Sequence, residues 1–324
     1  MLSVIIPMYR TAEFVPELIR EFERIADVAQ ERFGESCEFV FVNDGSPDDS
    51  HARLAAALPR ARIAAQLVDH SRNFGSFAAI RTGLAAGTGD YFAVIAADLQ
   101  EPPELMLDFL AILSRDEADV VVGRREGRND PAGSKLSANL FWTLYRRLVM
   151  PEIPPGGVDV FGCNRAFRDE LLRLAESKSS LVGQLFWIGF RRAEAPYERR
   201  PRAQGVSGWT WRKKLAYLSD SIFAFTDLPI RLLLLLGSAG LLLASGLGGM
   251  VTVLKLAGII RVPGYTATVL TVAFFGAINI LGLGVVGSYA SRAYENTKGR
   301  PVSIVRAARR FGAAGSSRAR TREG

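Results

Sequence analysis

Three short segments of this 324-residue chain combine carboxylates, glycine and arginine in a way that phosphate chemistry can use. In Val42-Asn43-Asp44-Gly45-Ser46-Pro47-Asp48-Asp49-Ser50, a carboxylate stands where a β-branched run ends. Asp44 is therefore placed to accept hydrogen bonds from a nucleobase or ribose, and Gly45 lets the backbone turn closely. Asp and Gly are also ordinary turn residues, so both readings stay open. In Ala96-Ala97-Asp98-Leu99-Gln100-Glu101-Pro102-Pro103-Glu104, Asp98 follows a second apolar run and precedes a Pro-started helix. That is a seat for a divalent cation on a diphosphate; the alternative is an N-cap with an acidic first turn. Ser71-Arg72-Asn73-Phe74-Gly75 adds Arg72, a guanidinium able to meet phosphate.

These segments need a scaffold, and the hydrophobic pattern supplies one. Ser3–Ile6, Phe39–Val42, Gln66–Val68, Tyr91–Ala96 and Val120–Val122 read as strands, and Ala12–Phe33, Asp49–Ala57, Phe77–Ala86 and Pro103–Leu113 as helices. Strand and helix alternate, which implies a mostly parallel, Rossmann-like α/β sheet with ligands at the carboxyl ends of its strands. Each of the three segments falls at such an end. A further helix is expected over 135–149 and a Pro/Gly break at Pro151–Gly157, followed by Val158–Cys163 and a helix near Arg168–Ala175. The opening MLSVIIPMYR reads as a first strand, since it lacks the basic start and apolar length of a signal peptide.

Farther along, Leu232–Leu254 and Thr266–Ser291 are uncharged runs of 23 and 26 residues. The first is roughly 35 Å long as a helix, enough to cross a bilayer core. Net charge is −7 over residues 1–190, +5 over 191–231, +2 over 232–291 and +7 over 292–324. The acidic bulk argues against a nucleic-acid partner, whereas basic flanks around two spans place both ends in the cytoplasm. Trp211, Leu215, Leu218, Ile222 and Phe225 form a stripe at helical spacing, with Arg212, Lys213, Lys214 and Asp220 off it. Such a helix suits a membrane interface, or packing on the soluble domain. The expected division is a domain over 1–205, an interface helix and linker over 206–231, two spans over 232–291 and a basic tail over 292–324, with Ser316–Arg322 solvated.

Two cysteines, Cys37 and Cys163, indicate no disulfide framework and favour a reducing compartment, and two histidines, His51 and His70, leave no room for a His-rich metal site. Gly282-Leu283-Gly284-Val285-Val286-Gly287 fits G-x-G-x-x-G but lies inside the second apolar run, without the strand-turn-helix context of dinucleotide binding. Gly240, Ala244 and Gly248, and Gly284 with Ser288, are better suited to close helix packing.

Taken in order, the segments resemble the family 2 glycosyltransferases of GT-A fold, specifically the polyprenyl-phosphate glycosyltransferases that include dolichol-phosphate mannose synthases and bactoprenol glucosyltransferases. Matching stretches are Val4-Ile5-Ile6-Pro7-Met8-Tyr9, the Asp44, Arg72 and Asp98 segments, Trp187-Ile188-Gly189-Phe190, Arg199, Arg202, Gly205 and Ser207, and Lys298-Gly299-Arg300-Pro301. The resemblance implies a GT-A catalytic domain followed by an amphipathic interface helix and two transmembrane helices in a bacterial cytoplasmic membrane. It implies nucleotide-sugar binding at Pro7, Tyr9, Asp44, Arg72 and Gln100, catalytic roles for Asp98 and Asp159, and Mg2+ or Mn2+ held by Asp98 and Gln100. Arg199, Arg202 and Ser207 are expected at a polyprenyl phosphate acceptor, with the lipid bilayer as partner, and a homo-oligomer is compatible with the pattern. The expected reaction is inverting transfer of one sugar; alternatives are another lipid or polysaccharide acceptor, or a non-catalytic nucleotide-sugar-binding scaffold.

Four departures stand out. The family's Asp-Ala-Asp-Leu-Gln begins here with Ala96, leaving one carboxylate where two are usual, with Glu101 as a candidate substitute. Ser76 and Phe77 replace a polar-Glu pair, Asp159-Val160-Phe161-Gly162 keeps the Asp but lacks the usual Arg, and Arg10 stands for Asn. These departures point to an unusual donor sugar, with an impaired enzyme as the alternative.

Overall fold

A computed structural model describes residues 1–126, 141–154, 157–174, 176, 179–200, 211–258 and 264–312. The chain forms two compact units, Met1–Lys214 with Pro301–Gly324, and Leu215–Arg300.

In the first unit, β1 (Leu2–Met8), β2 (Cys37–Asn43), β3 (Ala64–His70) and β4 (Tyr91–Val94) are parallel, joined by α1 (Val15–Phe33), α2 (Ser50–Ala57) and α3 (Ser76–Ala86). β1 and β2 are apolar along nearly their whole length, as strands covered on both faces must be. The apolar residues of α1, namely Val15, Leu18, Phe22, Ile25 and Ala29, recur every three or four positions and make one buried stripe. Phe22 stacks on Phe39 at 4.8 Å between ring centroids and tilts against Phe41 at 6.0 Å, fixing the helix on the sheet. After α4 (Leu105–Ser114) come β5 (Val120–Glu126), α5 (described over residues 141–148), β6 (Phe161–Asn164), α6 (Arg165–Arg173), α7 (Leu181–Trp187) and β7 (Arg192–Glu198).

The eight strands lie in the order β7-β5-β6-β4-β1-β2-β3-β8. From β1 the chain first builds outward through β2 and β3, then crosses to β4 on the other side. The carboxyl ends of β1 and β4 therefore flank the point where strand order reverses, the crevice in which α/β sheets bind ligands. β6 runs antiparallel to both β4 and β5, and β5 pairs parallel with β7.

Two strands went unforeseen. β7 carries a period-two pattern, Ala193, Ala195 and Tyr197 alternating with Arg192, Glu194, Pro196 and Glu198. β8 (Val305–Phe311) lies in what the sequence presented as a basic tail, and it pairs antiparallel with β3 at the sheet edge.

In the second unit, α9 (Leu228–Leu256) and α10 (Tyr265–Thr297) each contain a window long and apolar enough to cross a membrane, with mean hydropathy 1.9 over Leu228–Leu247 and 1.5 over Phe274–Thr297. The glycine-rich Gly282–Gly287 segment runs inside α10, so no phosphate-binding turn forms there. Gly240 fits close packing, since a Cβ there would stand 3.2 Å from the Phe275 ring; Gly284 has nothing within 4 Å. The helix expected at a membrane interface is α8 (Trp211–Phe225). On it Leu218 is buried, whereas Leu215, expected on the same apolar stripe, is 60% exposed. Asp220 pairs with Arg292 of α10 at 2.7 Å, and Phe223 meets Tyr289 edge-on at 5.3 Å.

Candidate active site

Strand direction decides which residues share an edge of the sheet. β4 and β7 end on the same side as β1, and β6, being reversed, begins there. Asp98 after β4, Asp159 before β6 and Arg199 after β7 are thus delivered to one edge although far apart in sequence. The side chains meet: Arg199 Nε lies 3.2 Å from Glu101 Oε1, and Arg199 Nη1 3.9 Å from Asp159 Oδ2. The Tyr197 hydroxyl donates to Asp159 Oδ2 at 3.5 Å. The backbone joins the same two loops, Arg200 N–H donating to the Gln100 carbonyl at 2.8 Å.

Glu101 is the residue whose importance the sequence understated. It is fully buried, and neither carboxylate oxygen accepts a hydrogen bond from a described residue. Burial pushes its pKa up to about 7; the guanidinium of Arg199 opposes the rise, and the charges of Asp159 and Asp98 add to it. The Arg199 pKa is raised as well. Its partial burial disfavours the cation, but Asp159 and Glu101 more than offset that and hold it charged. Asp98 turns back on its own loop, Oδ1 accepting from Gln100 N–H at 3.4 Å, and Gln100 is buried. Between them Leu99 adopts φ +51°, a left-handed conformation of the kind that gathers where a loop is shaped for a ligand. Ala96 is half-buried at the start of this loop.

The nucleotide half of the expected site lies across β1, β2 and β3. Pro7 stands next to last in β1, opposite Val42, and Tyr9 just after the strand is 42% exposed, the Arg10 guanidinium 5.5 Å from its ring centroid. Asp44 is only 3% exposed and directed inward. Its Oδ1 accepts from Phe74 N–H and lies 2.8 Å from His70 Nδ1, and its Oδ2 accepts from Gly75 N–H, also at 2.8 Å. This carboxylate thus shapes the Ser71–Gly75 loop, an employment the sequence did not reveal. Gly45 is required beside it: φ is +60°, and a Cβ would stand 2.4 Å from the Arg72 carbonyl carbon. Arg72 lies over the Phe74 ring at 4.0 Å and donates to the Asn73 carbonyl. Asn43 and His51 converge on Asp69, each 2.8 Å from Oδ1.

The structure therefore assembles Asp98, Gln100 and Asp159 with Arg199, and Pro7, Tyr9, Asp44 and Arg72 along the neighbouring strand ends. Arg202 and Ser207 lie outside the described residues. A groove of about 660 Å3 lined by Gln66, Arg81, Thr82, Thr88, Ser303 and Arg310 contains none of the expected site residues.

Comparison with known proteins places this geometry. An uncharacterized glycosyltransferase of Synechocystis is 31% identical over 305 residues, covering 94% of each chain. A bactoprenol glucosyl transferase of Shigella phage SfX is 26% identical over 311 residues, covering 94% of this chain and 98% of its own. Among solved structures, glucosyl-3-phosphoglycerate synthase from Mycobacterium tuberculosis superposes with a TM-score of 0.47 at 16% identity, over 69% of this chain and 77% of that one. The sequence profile of glycosyl transferase family 2 matches residues 3–174, the stretch from β1 to the end of α6. The chain belongs to glycosyl transferase family 2, with the α/β GT-A fold, and is an enzyme of that class.

Proposed function

We propose that this enzyme transfers a single sugar from a nucleotide-diphosphate sugar to undecaprenyl phosphate or a similar polyprenyl phosphate, at the cytoplasmic face of a bacterial membrane, with inversion at the anomeric carbon. The observation that carries the reading is the meeting of Asp98, Glu101, Asp159 and Arg199 at one sheet edge. The same chain holds two helices of membrane-crossing length. The relatives named as bactoprenol glucosyl transferases support the lipid acceptor. Apolar α9 and α10 between basic flanks support a two-span anchor with both ends cytoplasmic.

The chemistry is a displacement. An oxygen of the lipid phosphate attacks the anomeric carbon, the bond from that carbon to the diphosphate oxygen breaks, and the nucleotide diphosphate leaves with the electron pair. A phosphomonoester with a second pKa of about 6 is mostly dianionic at neutral pH. It therefore attacks without the general base a sugar hydroxyl would need. What the protein must do is bring two anions together and offset charge on the leaving group.

Pro7, Tyr9, the loop shaped by Asp44, and Arg72 would hold the nucleotide. Mg2+ or Mn2+, when bound, would neutralise the diphosphate. Among the described residues no three Asp, Glu, His or Cys side chains converge on one point, so the protein offers part of a coordination shell. Asp98, Gln100 and the unhydrogen-bonded Glu101 carboxylate are hard oxygen donors that fit an ion sharing its coordination with phosphate oxygens. Arg199, with Arg202 and Ser207, would hold the acceptor phosphate, for which the planar guanidinium fork is suited. Asp159, oriented by the Tyr197 hydroxyl, would position the sugar and Arg199.

The test is the purified membrane protein with either cation, a panel of nucleotide sugars and polyprenyl phosphate, read by mass spectrometry of the lipid. The expected result is a lipid product heavier by one sugar, lost in Asp98→Ala. Donor binding without turnover across the panel would make the protein a scaffold; sugar appearing on a polysaccharide or another lipid would replace the acceptor.

A further inference from the structure

Asp44 is tied to the segment after α10 by a file of side chains, two buried and two half-buried in the wall of the Gln66–Arg310 groove. Its Oδ1 lies 2.8 Å from His70 Nδ1, His70 Nε2 lies 2.9 Å from Thr82 Oγ1, and Thr82 Oγ1 lies 2.8 Å from Ser303 Oγ. His70 is almost completely buried, as is Asp44. Ser303 belongs to the short connection from α10 to β8, and its neighbour Ile304 accepts through its carbonyl from Ser71 N–H at 3.0 Å. The Ser71–Gly75 loop is therefore held at both ends. Its first amide is fixed by Ile304, and its last two by the carboxylate on which the file converges.

Hydrogen-bond capacity sets the direction of the file. An ionised carboxylate only accepts, so the proton between Asp44 and His70 sits on Nδ1. With His70 neutral, Nε2 is an acceptor, so Thr82 donates to it and the Thr82 oxygen accepts from Ser303; a doubly protonated ring would instead donate to Thr82. Ser303 is the one hydroxyl that enters the file purely as a donor. Without it Thr82 keeps its bond to His70 but loses the partner that orients its lone pairs. Without the Thr82 hydroxyl, Nε2 loses the side-chain partner it has at 2.9 Å.

We infer that Thr82 and Ser303 are positioning residues for the nucleotide: they hold His70 in its Nδ1–H form and thereby hold Asp44 and the Arg72 loop in binding geometry. The segment 301–304 is on this account a working part of the donor site. The inference rests on the reading that this loop binds the nucleotide.

The experiment uses full-length protein in nanodiscs. Binding of UDP, GDP and dTDP is measured by calorimetry with Mg2+ present, donor KM and kcat are measured separately, and 15N spectra report the two histidines. Wild type is expected to show His70 as the Nδ1–H tautomer with Nε2 hydrogen-bonded. Ser303→Ala and Thr82→Val are expected to weaken nucleotide binding and raise donor KM about 3- to 10-fold, the range set by losing one buried hydrogen bond, with kcat within about twofold. Ser303→Thr, which restores the hydroxyl, is expected to recover most of the affinity. The inference is overturned by an Nε2–H or doubly protonated His70 in wild type, which stands even if a variant fails to fold. It is overturned equally by variants that melt earlier yet keep wild-type Kd and KM, or by a Thr variant no better than Ala. Wild type that binds none of the three nucleotides overturns the loop's assignment itself, and the inference with it. Nucleotide binding in wild type with unaffected variants overturns the inference alone.

Discussion

Replacing Glu101 by Gln should make this protein more stable and less active. Glu101 is fully buried and its pKa stands at about 7 against an ordinary 4.5, so the folded state disfavours the ionised form. A raised carboxyl pKa penalises folding at every pH above the unfolded value. The penalty is absent below about pH 4.5, grows through the interval, and is complete above pH 7. At 1.36 kcal/mol per unit, that shift amounts to about 3 kcal/mol at pH 8. Gln has the same shape, keeps a carbonyl toward Arg199 and carries no charge. The expected outcome is a Glu101→Gln variant whose stability advantage is near zero at pH 4.5 and rises to as much as about 3 kcal/mol at pH 8. Transfer should meanwhile fall, because Arg199 loses the carboxylate 3.2 Å from Nε that fixes it. The assay is thermal and denaturant unfolding of the purified protein from pH 4.5 to 8.5 in chelator, repeated with Mn2+. If Glu101 is a cation ligand, Mn2+ should narrow the gap by stabilising wild type alone. A variant equal to or less stable than wild type at pH 8 in chelator would refute the reasoning, since the buried charge would then be adequately solvated by its surroundings.

Four further outcomes are expected. Gly45→Ala forces a Cβ to 2.4 Å from the Arg72 backbone at φ +60°, and should destabilise by about 1–3 kcal/mol while abolishing donor binding, as melting and calorimetry would show. Glu38→Gln should destabilise by about 1–3 kcal/mol at neutral pH. Burial alone would raise the Glu38 pKa, but bonds from Ser3, Thr88 and Gln66 hold it below 4.5, so this stability is present above pH 4.5 and the wild-type advantage should vanish as melts are taken to lower pH. Ala96→Asp should tighten Mn2+ binding several-fold in a titration; an unchanged affinity would move the cation away from the Asp98 loop. Full-length protein should stay with membranes through a high-salt wash, whereas release by salt alone would exclude spanning by α9 and α10.

The parallel half of the fold was legible because its signals are local. Strands β1 to β4 are short apolar runs, α1 carries a clean helical stripe, and the Asp44, Arg72 and Asp98 segments all fall at strand ends. What sequence could not show was set by pairing across long distances. The reversed β6 brings Asp159 to the edge reached by Asp98, and no local feature of Val158–Cys163 declares its direction. β7 did leave a signal, since its alternation of Ala193, Ala195 and Tyr197 with polar residues is the pattern of a half-buried strand. β8 left almost none, because Val-Arg-Ala-Ala-Arg-Arg-Phe owes its conformation to β3. Asp44 lies at the strand end where its sequence placed it, but its inward hydrogen bonds depend on His70 and on Gly75, which only the folded loops bring together. Glu101 was legible only as a stand-in for the carboxylate missing at Ala96; its pairing with Arg199 depends on β7, which the sequence did not place.

The position of β8 in the chain imposes an order on synthesis. The strand that completes the sheet at β3, and the Ser303 and Ile304 contacts at the Ser71–Gly75 loop, are encoded after α9 and α10. A ribosome therefore releases the last piece of the catalytic unit only when both apolar helices have already been made. Until then β3 is a bare edge and the loop at its end is unbraced. A chain without residues 301–311 would lack the contacts that hold the Ser71–Gly75 loop, so that loop is braced only after both apolar helices have been made.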